Sequence, residues 1–236
     1  MTKSCILLLL ALAEATFGTI EKRICGPLSR ECNADEGRHQ VMLSQFPDND
    51  IHCGGTLIKP RWVLTAEHCN EHNLVVLVGR DLDVAVTRTI KSWRILNEHD
   101  IMLLKLRRRI RLHSRLPNRQ NCVTPNIGAV VRIYGWQNAH IRHNNLMDPY
   151  FAGRLRCGEM DVVACANPYE NGVTFCAFRN GIDGNEGDSG SGLIANNRLH
   201  GIQVYGHHHF GAEETHFIDL CHRQYIDWIY RTVEND

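Results

Sequence analysis

The chain has 236 residues, 26 Lys+Arg against 26 Asp+Glu, 43% hydrophobic residues and ten cysteines. That length allows one large domain or two small ones with a substantial core. The balanced charge gives no bulk electrostatic case for nucleic acid or an acidic membrane surface, and the composition excludes a collagen, a coiled coil or a disordered chain. Ten cysteines without a Cys-x-x-Cys pair point away from zinc and towards an oxidising compartment.

In chain order, Lys3 precedes the apolar stretch Ile6 to Ala13, and Ala13-Glu14-Ala15 has the small-x-small form of a cleavage site. The run is too short to span a bilayer and reads as a signal peptide over residues 1–15, with the cut between 15 and 18. The expected mature protein is secreted, extracellular and oxidised. It keeps nine cysteines once Cys5 leaves with the signal. Short apolar runs between turn-forming clusters then predict strands at Val41-Met42-Leu43, Thr56-Leu57-Ile58, Trp62-Val63-Leu64, Leu74 to Val78, Ile101 to Leu106, Val130 to Tyr134, Gly192 to Ile194 and His200 to Tyr205. Many short strands at such spacing imply an all-β sandwich or barrel. Tyr225, Ile226, Trp228, Ile229 and Val233 recur at helical spacing and predict one amphipathic closing helix. Arg107-Arg108-Arg109 with Arg111 reads as a solvated strand end rather than a ligand site.

Three segments carry chemistry. Thr65-Ala66-Glu67-His68-Cys69 follows a predicted strand, Asp100 opens another, and Gly187-Asp188-Ser189-Gly190 lies in a glycine-rich loop. A serine hydroxyl is a weak nucleophile at neutral pH and needs a base, commonly histidine, oriented by a buried carboxylate. The local contexts, together with the chain order His, Asp, Ser, are far more specific than any one residue alone.

On these motifs the sequence resembles the chymotrypsin/trypsin family of serine proteases, from Ile24 to the final helix. Cys53-Gly54-Gly55-Thr56-Leu57-Ile58, Trp62 to Ala66, Asp100 to Leu106 and the stretch from Pro125-Asn126-Ile127-Gly128 to Gly135-Trp136 resemble the kallikrein-like serine proteases of snake venom in particular. The resemblance implies two six-stranded antiparallel β-barrels with a C-terminal α-helix and an active site between the barrels. It implies His68 as general base, Asp100 as its orienting carboxylate and Ser189 as nucleophile, with the Gly187 and Ser189 N–H groups as oxyanion hole. Asp183, six residues before Ser189, falls where trypsin-like members keep the carboxylate that pairs with a substrate Arg or Lys, and Gly206 matches a glycine at the pocket entrance.

By the same resemblance, residues 16–23 are a short propeptide and 24–236 the protease domain. Cleavage after Arg23 would free the Ile24 amine to pair with Asp188. Ile24-Cys25-Gly26-Pro27 departs from the two glycines expected there, and Pro27 fixes its own φ. Four disulfides are implied: Cys53 with Cys69, Cys165 with Cys176, Cys122 with Cys221, and Cys32 with Cys157. Cys25 is left over, and three states are open to it: a free thiol, a bond to another chain, or a bond to the removed peptide. Two family bridges are missing with both partners each. Val131 and Ala195 stand at one, Asn185 and the cysteine-free stretch Gly206 to Glu213 at the other.

Other departures concern the catalytic centre. Val204-Tyr205 replaces Ser-Trp, which predicts that Asp100 lacks one hydrogen bond, and Ser191-Gly192 replaces Gly-Pro. Only 32 residues separate His68 from Asp100, so the calcium-binding loop is expected to be trimmed and no calcium or other cofactor is expected. His207-His208-His209 reads as surface histidines, because neighbours in an extended segment point to opposite faces and cannot readily share an ion. No Asn-x-Ser/Thr sequon occurs, so no N-glycan is expected. The implied partners are protein or peptide substrates, an activating protease and serine protease inhibitors, with no nucleic acid and no membrane. Two functions follow: a secreted serine endopeptidase cutting after Arg or Lys, activated from a zymogen, or a weakly active or inactive homologue acting as a secreted binding protein.

Overall fold

The computed structural model describes residues 21–23, 28–46, 50–141, 144, 146–185, 187–206, 209–211 and 213–234. The expected signal peptide, Ile24, Cys25, Pro27 and His207-His208 lie outside the described residues. Two short strands come first, β1 (Glu21–Arg23) and β2 (Arg30–Glu31). Six more follow: β3 (Gln40–Gln45), β4 (Asp50–Lys59), β5 (Trp62–Thr65), β6 (Leu74–Val78), β7 (Val86–Ile95) and β8 (Met102–Leu106). They close into an antiparallel barrel in the order β3-β4-β5-β8-β7-β6. The remaining strands are β9 (Val130–Ile141), β10 (Met147–Val163), β11 (Thr174–Phe178), β12 (Gly192–Ala195), β13 (Arg198–Tyr205) and β14 (Thr215–Asp219). Run in the order β9-β12-β13-β14-β11-β10, they also form a ring, closed by the β9–β10 pairing. β1 adds to the free side of β9, pairing Arg23 with Asn138, and β2 adds to β10.

Side-chain alternation explains how the barrels join. On β3, Val41 and Leu43 enter the core of the first barrel, whereas Met42 faces away from it. Met42 packs with Val75 and Leu77 of the same barrel against Tyr134, Trp136 and Leu155 of the second. A strand buried on both faces reads as a continuous apolar run, which is why Val41-Met42-Leu43 shows no period of two. Each such side chain contributes roughly 1.5–3 kcal/mol through burial, so the seam holds the two halves of the cleft in register. The closing helix α1 (Arg223–Glu234) buries Tyr225, Ile226, Ile229 and Val233 on one face. No helix among the described residues is long and apolar enough to cross a membrane.

Candidate active site

His68 sits in the single helical turn Glu67–Cys69 that follows β5, anchored by the Cys53–Cys69 disulfide to β4. Asp100 immediately precedes β8, and its own N–H donates to the Asn171 carbonyl at 2.8 Å. His68 Nδ1 lies 2.7 Å from Asp100 Oδ2, and the His68 backbone N–H donates to Oδ1 at 2.9 Å. Asp100 is 4% exposed. Burial alone would raise its pKa, but the hydrogen bonds and charge of His68 outweigh it and hold the carboxylate below its ordinary value. Burial would likewise lower His68, and the bond and charge of Asp100 lift it above its ordinary value.

The sequence suggests that Asp100 lacks a donor because Val204 stands where a serine is expected. The structure corrects this. Tyr169 OH donates to Asp100 Oδ2 at 2.7 Å, so the carboxylate accepts three hydrogen bonds. Burial, and then the bond to Asp100, keep the Tyr169 phenol protonated far above its usual range. Tyr169 lies in the loop closed by the Cys165–Cys176 disulfide, and no motif in the sequence links it to Asp100. The hint available in the sequence is the missing serine, which calls for a donor from elsewhere.

Ser189 and His68 line one cleft of about 340 Å³, with His52, Glu71, Tyr205 and Gly206 also on its wall. No hydrogen bond joins Ser189 Oγ to His68 Nε2 among the described residues. Ser189 is fixed through its backbone, its carbonyl accepting from Gly54 N–H at 2.7 Å. Gly187 has φ +86°, and a Cβ there would overlap Gln137. Neither the Gly187 nor the Ser189 N–H donates to a backbone carbonyl among the described residues. A second hollow of about 620 Å³, which also touches His68, is lined by Glu67, Glu98, His99, Tyr169 and Val204.

Two further buried carboxylates, Asp183 and Asp188, lie in the segment that leads to Ser189. Asp188 is 1% exposed, and its Oδ1 accepts from the N–H groups of Trp136 (3.0 Å) and Gln137 (3.2 Å), while Oδ2 accepts from Asn185 N–H (3.4 Å). Only a glycine at 135 lets this carboxylate lie against β9, since a Cβ there would overlap it. Asp183 is 4% exposed and accepts from Gly211 N–H at 2.6 Å. Burial pushes both pKa values up to about 7, against the pull of the backbone donors. Asp183 does not line either hollow, whereas Gly206 does.

The structure contains the disulfides Cys32–Cys157, Cys53–Cys69, Cys122–Cys221 and Cys165–Cys176. Where bridges are missing, other interactions take their place. Val131 and Ala195 are both buried in the apolar core of the second barrel. Beside Asn185, where one of those bridges is missing, the buried Gln203 side chain donates to the Asn185 carbonyl at 3.2 Å. Ser191 sits directly over Gly54, where a Cβ would overlap its hydroxyl. Three groups of potential metal ligands occur among the described residues, and each is a disulfide beside His68, His200 or His216. Sulfurs bonded to each other are not thiolate ligands, so none of the three suits a metal. His209 bridges to Leu146 as an exposed residue.

Comparison with known proteins agrees with this layout. The family model described as Trypsin matches residues 29–229. The serine protease VLSP-3 of Macrovipera lebetinus is 30% identical over 230 residues, covering 86% of this chain and 85% of that protein. Snake venom serine protease homolog 2A of Craspedocephalus gramineus is 28% identical, covering 84% of each. Among solved structures, neuropsin, a serine protease expressed in the limbic system of mouse brain, superposes with a TM-score of 0.73 at 26% identity, over 87% of this chain and 98% of its own.

Proposed function

We propose that this chain, which belongs to the trypsin family of serine proteases, is a secreted endopeptidase that cuts after Arg or Lys and is made as a zymogen. The observation that carries this reading is the His68–Asp100 pair, closed at 2.7 Å, with His68 on the wall of the cleft that also holds Ser189. Ser189 Oγ attacks the scissile carbonyl carbon while His68 Nε2 takes its proton. Asp100, held by Tyr169 and the His68 backbone, keeps the Nδ1 proton on the imidazole and stabilises the imidazolium. The Gly187 and Ser189 N–H groups receive the oxyanion, and His68 returns its proton to the leaving amine. A water then repeats the sequence on the acyl-enzyme.

Asp183 is the candidate partner of the substrate Arg or Lys, because a buried carboxylate without a cation gains most from one. Cleavage after Arg23 would give Asp188 an ammonium in the same way. The four disulfides suit an extracellular setting. The second reading is a weakly active or inactive homologue acting as a secreted binding protein. The observation favouring it is Asp183, satisfied by Gly211 N–H and outside the described lining of either hollow.

The test is hydrolysis of peptide amides by protein cleaved after Arg23. Arg and Lys substrates should be preferred over Phe and Leu, and Ser189→Ala should be inert. A folded, cleaved sample without Ser189-dependent hydrolysis sinks the enzyme reading. A preference for Phe or Leu removes Asp183 from the specificity role.

A further inference from the structure

The run Arg107 to Arg111 lies just past β8, as its sequence suggests, but it does not stand alone. After Leu106 the chain wraps the tip of the β4–β5 hairpin: Leu106 N–H donates to the Arg61 carbonyl at 2.7 Å, and Ile110 N–H to the Pro60 carbonyl at 2.6 Å. These two bonds set the arginines beside Lys59 and Arg61. A cleft of about 430 Å³ opens between them, lined by Lys59, Arg61, Trp62, Lys105, Arg109 and Val233. Lys105 Nζ stands 5.6 Å from the centre of the Trp62 ring.

In a chain of zero net charge this is a marked concentration of one sign. Residues 101–116 contain six Lys or Arg and no Asp or Glu. Among the described residues, Lys59, Arg61, Arg107, Arg108, Arg109 and Arg111 take part in no ion pair, although arginines elsewhere pair with Glu36, Asp161, Glu159 and Asp227. Like charges gathered around a concave surface repel one another and are relieved by a multivalent anion.

We propose that this cleft and its flanking arginines bind a sulfated polysaccharide. The planar guanidinium fork matches a sulfate oxygen pair as it matches a carboxylate or phosphate, and the spread of cations suits a chain of sulfates rather than a single ion. Of the cleft's apolar residues, Trp62 and Val233 are buried at 4% and 9% exposure and Pro60 is half-buried, so it offers neither an aromatic face for stacking nucleic acid bases nor a large apolar wedge for a bilayer. The surface is also separate from the candidate active site. Asp100 precedes β8 and the basic run follows it, so about 17 Å of strand lies between them. A bound polysaccharide therefore leaves the His68–Ser189 cleft open, and the proposal does not depend on turnover.

The experiment measures retention of the full folded chain on immobilised heparin and its displacement by salt. The wild type should need more than physiological ionic strength for elution. The Arg61→Ser, Arg109→Ser double variant should bind about tenfold more weakly or worse, with a reduced dependence on salt. Arg38→Ser, an exposed change elsewhere, should bind as the wild type, and melting curves confirm that each variant is folded. Heparin stripped of its sulfates should not bind. Equal retention of the double variant and the wild type overturns the proposal, and so does equal binding of desulfated heparin. Tighter binding to a single-stranded DNA oligonucleotide or to phosphatidylserine vesicles at the same ionic strength overturns it in favour of a different polyanion.

Discussion

The two halves of the cleft carry their charge differently. On the side of the first barrel, Asp100 is buried but answered by His68 Nδ1, the His68 N–H and the Tyr169 hydroxyl, and its pKa falls. On the side of the second, Asp183 and Asp188 are as deeply buried but are answered by backbone N–H groups alone, and their pKa values rise to about 7. Hydrogen-bond number does not separate them, since Asp188 also accepts three. The difference lies in a partner able to carry a positive charge. The His68–Asp100 side is therefore already paired in this chain, while the other side holds two buried carboxylates without a cation; under the proposed function these would be met by the Ile24 amine at Asp188 and a substrate side chain at Asp183.

The largest expected effect comes from Ser189→Ala, which should lower kcat of the cleaved protein by at least about 10⁴-fold in amide hydrolysis; Asp100→Asn should approach the same loss by holding the imidazole in the wrong tautomer. Tyr169→Phe removes one bond to a charged group and should lower kcat by about tenfold, with KM nearly unchanged. Because that loss leaves Asp100 a stronger attractor, the ascending limb of the pH–rate profile, already above His68's ordinary 6.5, should move further up. A Tyr169→Phe enzyme with wild-type kcat and pH profile would break the assembled side of the comparison.

Stability against pH probes the other side. Asp183 and Asp188 bind protons more tightly folded than unfolded, so their contribution is complete below the unfolded value of 3.8 and is lost as pH rises through about 7. Melting temperatures of the uncleaved chain should fall across that window. Asp188→Asn should remove part of the fall and should also prevent activation, and cleavage after Arg23 should remove the same part without a mutation. The smallest effect is expected from Gln203→Leu, which removes one of two hydrogen bonds to the Asn185 carbonyl, the other coming from the Asp188 N–H, and should cost about 0.5–1 kcal/mol in chemical denaturation.

Much of this was legible in the sequence, and the exceptions have physical causes. The eight predicted strands and the closing helix all occur, because each is a short apolar run or a one-faced apolar stripe bounded by turns. β7 was missed because it alternates half-buried and exposed positions and carries Arg88, Lys91 and Arg94. β10 was missed because Pro149 and Gly153 interrupt a strand that the structure bends between Phe151 and Arg156. β11 and β14 are five residues each and are apolar only in part, Thr174-Phe-Cys-Ala-Phe178 and Thr215-His-Phe-Ile-Asp219. His68, Asp100 and Ser189 could be named because each sits in a local motif. Tyr169 could not, since its contact with Asp100 spans 69 residues and exists only after both barrels have closed. The basic run was visible, but its partners Lys59 and Arg61 come from a hairpin tip far away in sequence.

The most direct measurement is the rate at which a fluorophosphonate labels Ser189 before and after cleavage at Arg23, with Ser189→Ala as control. An assembled base beside an unfinished nucleophile half predicts slow labelling of the uncleaved chain, a rise of at least tenfold on cleavage, and no label on Ser189→Ala. Labelling of the uncleaved chain at the cleaved rate, or none in either form, would contradict it.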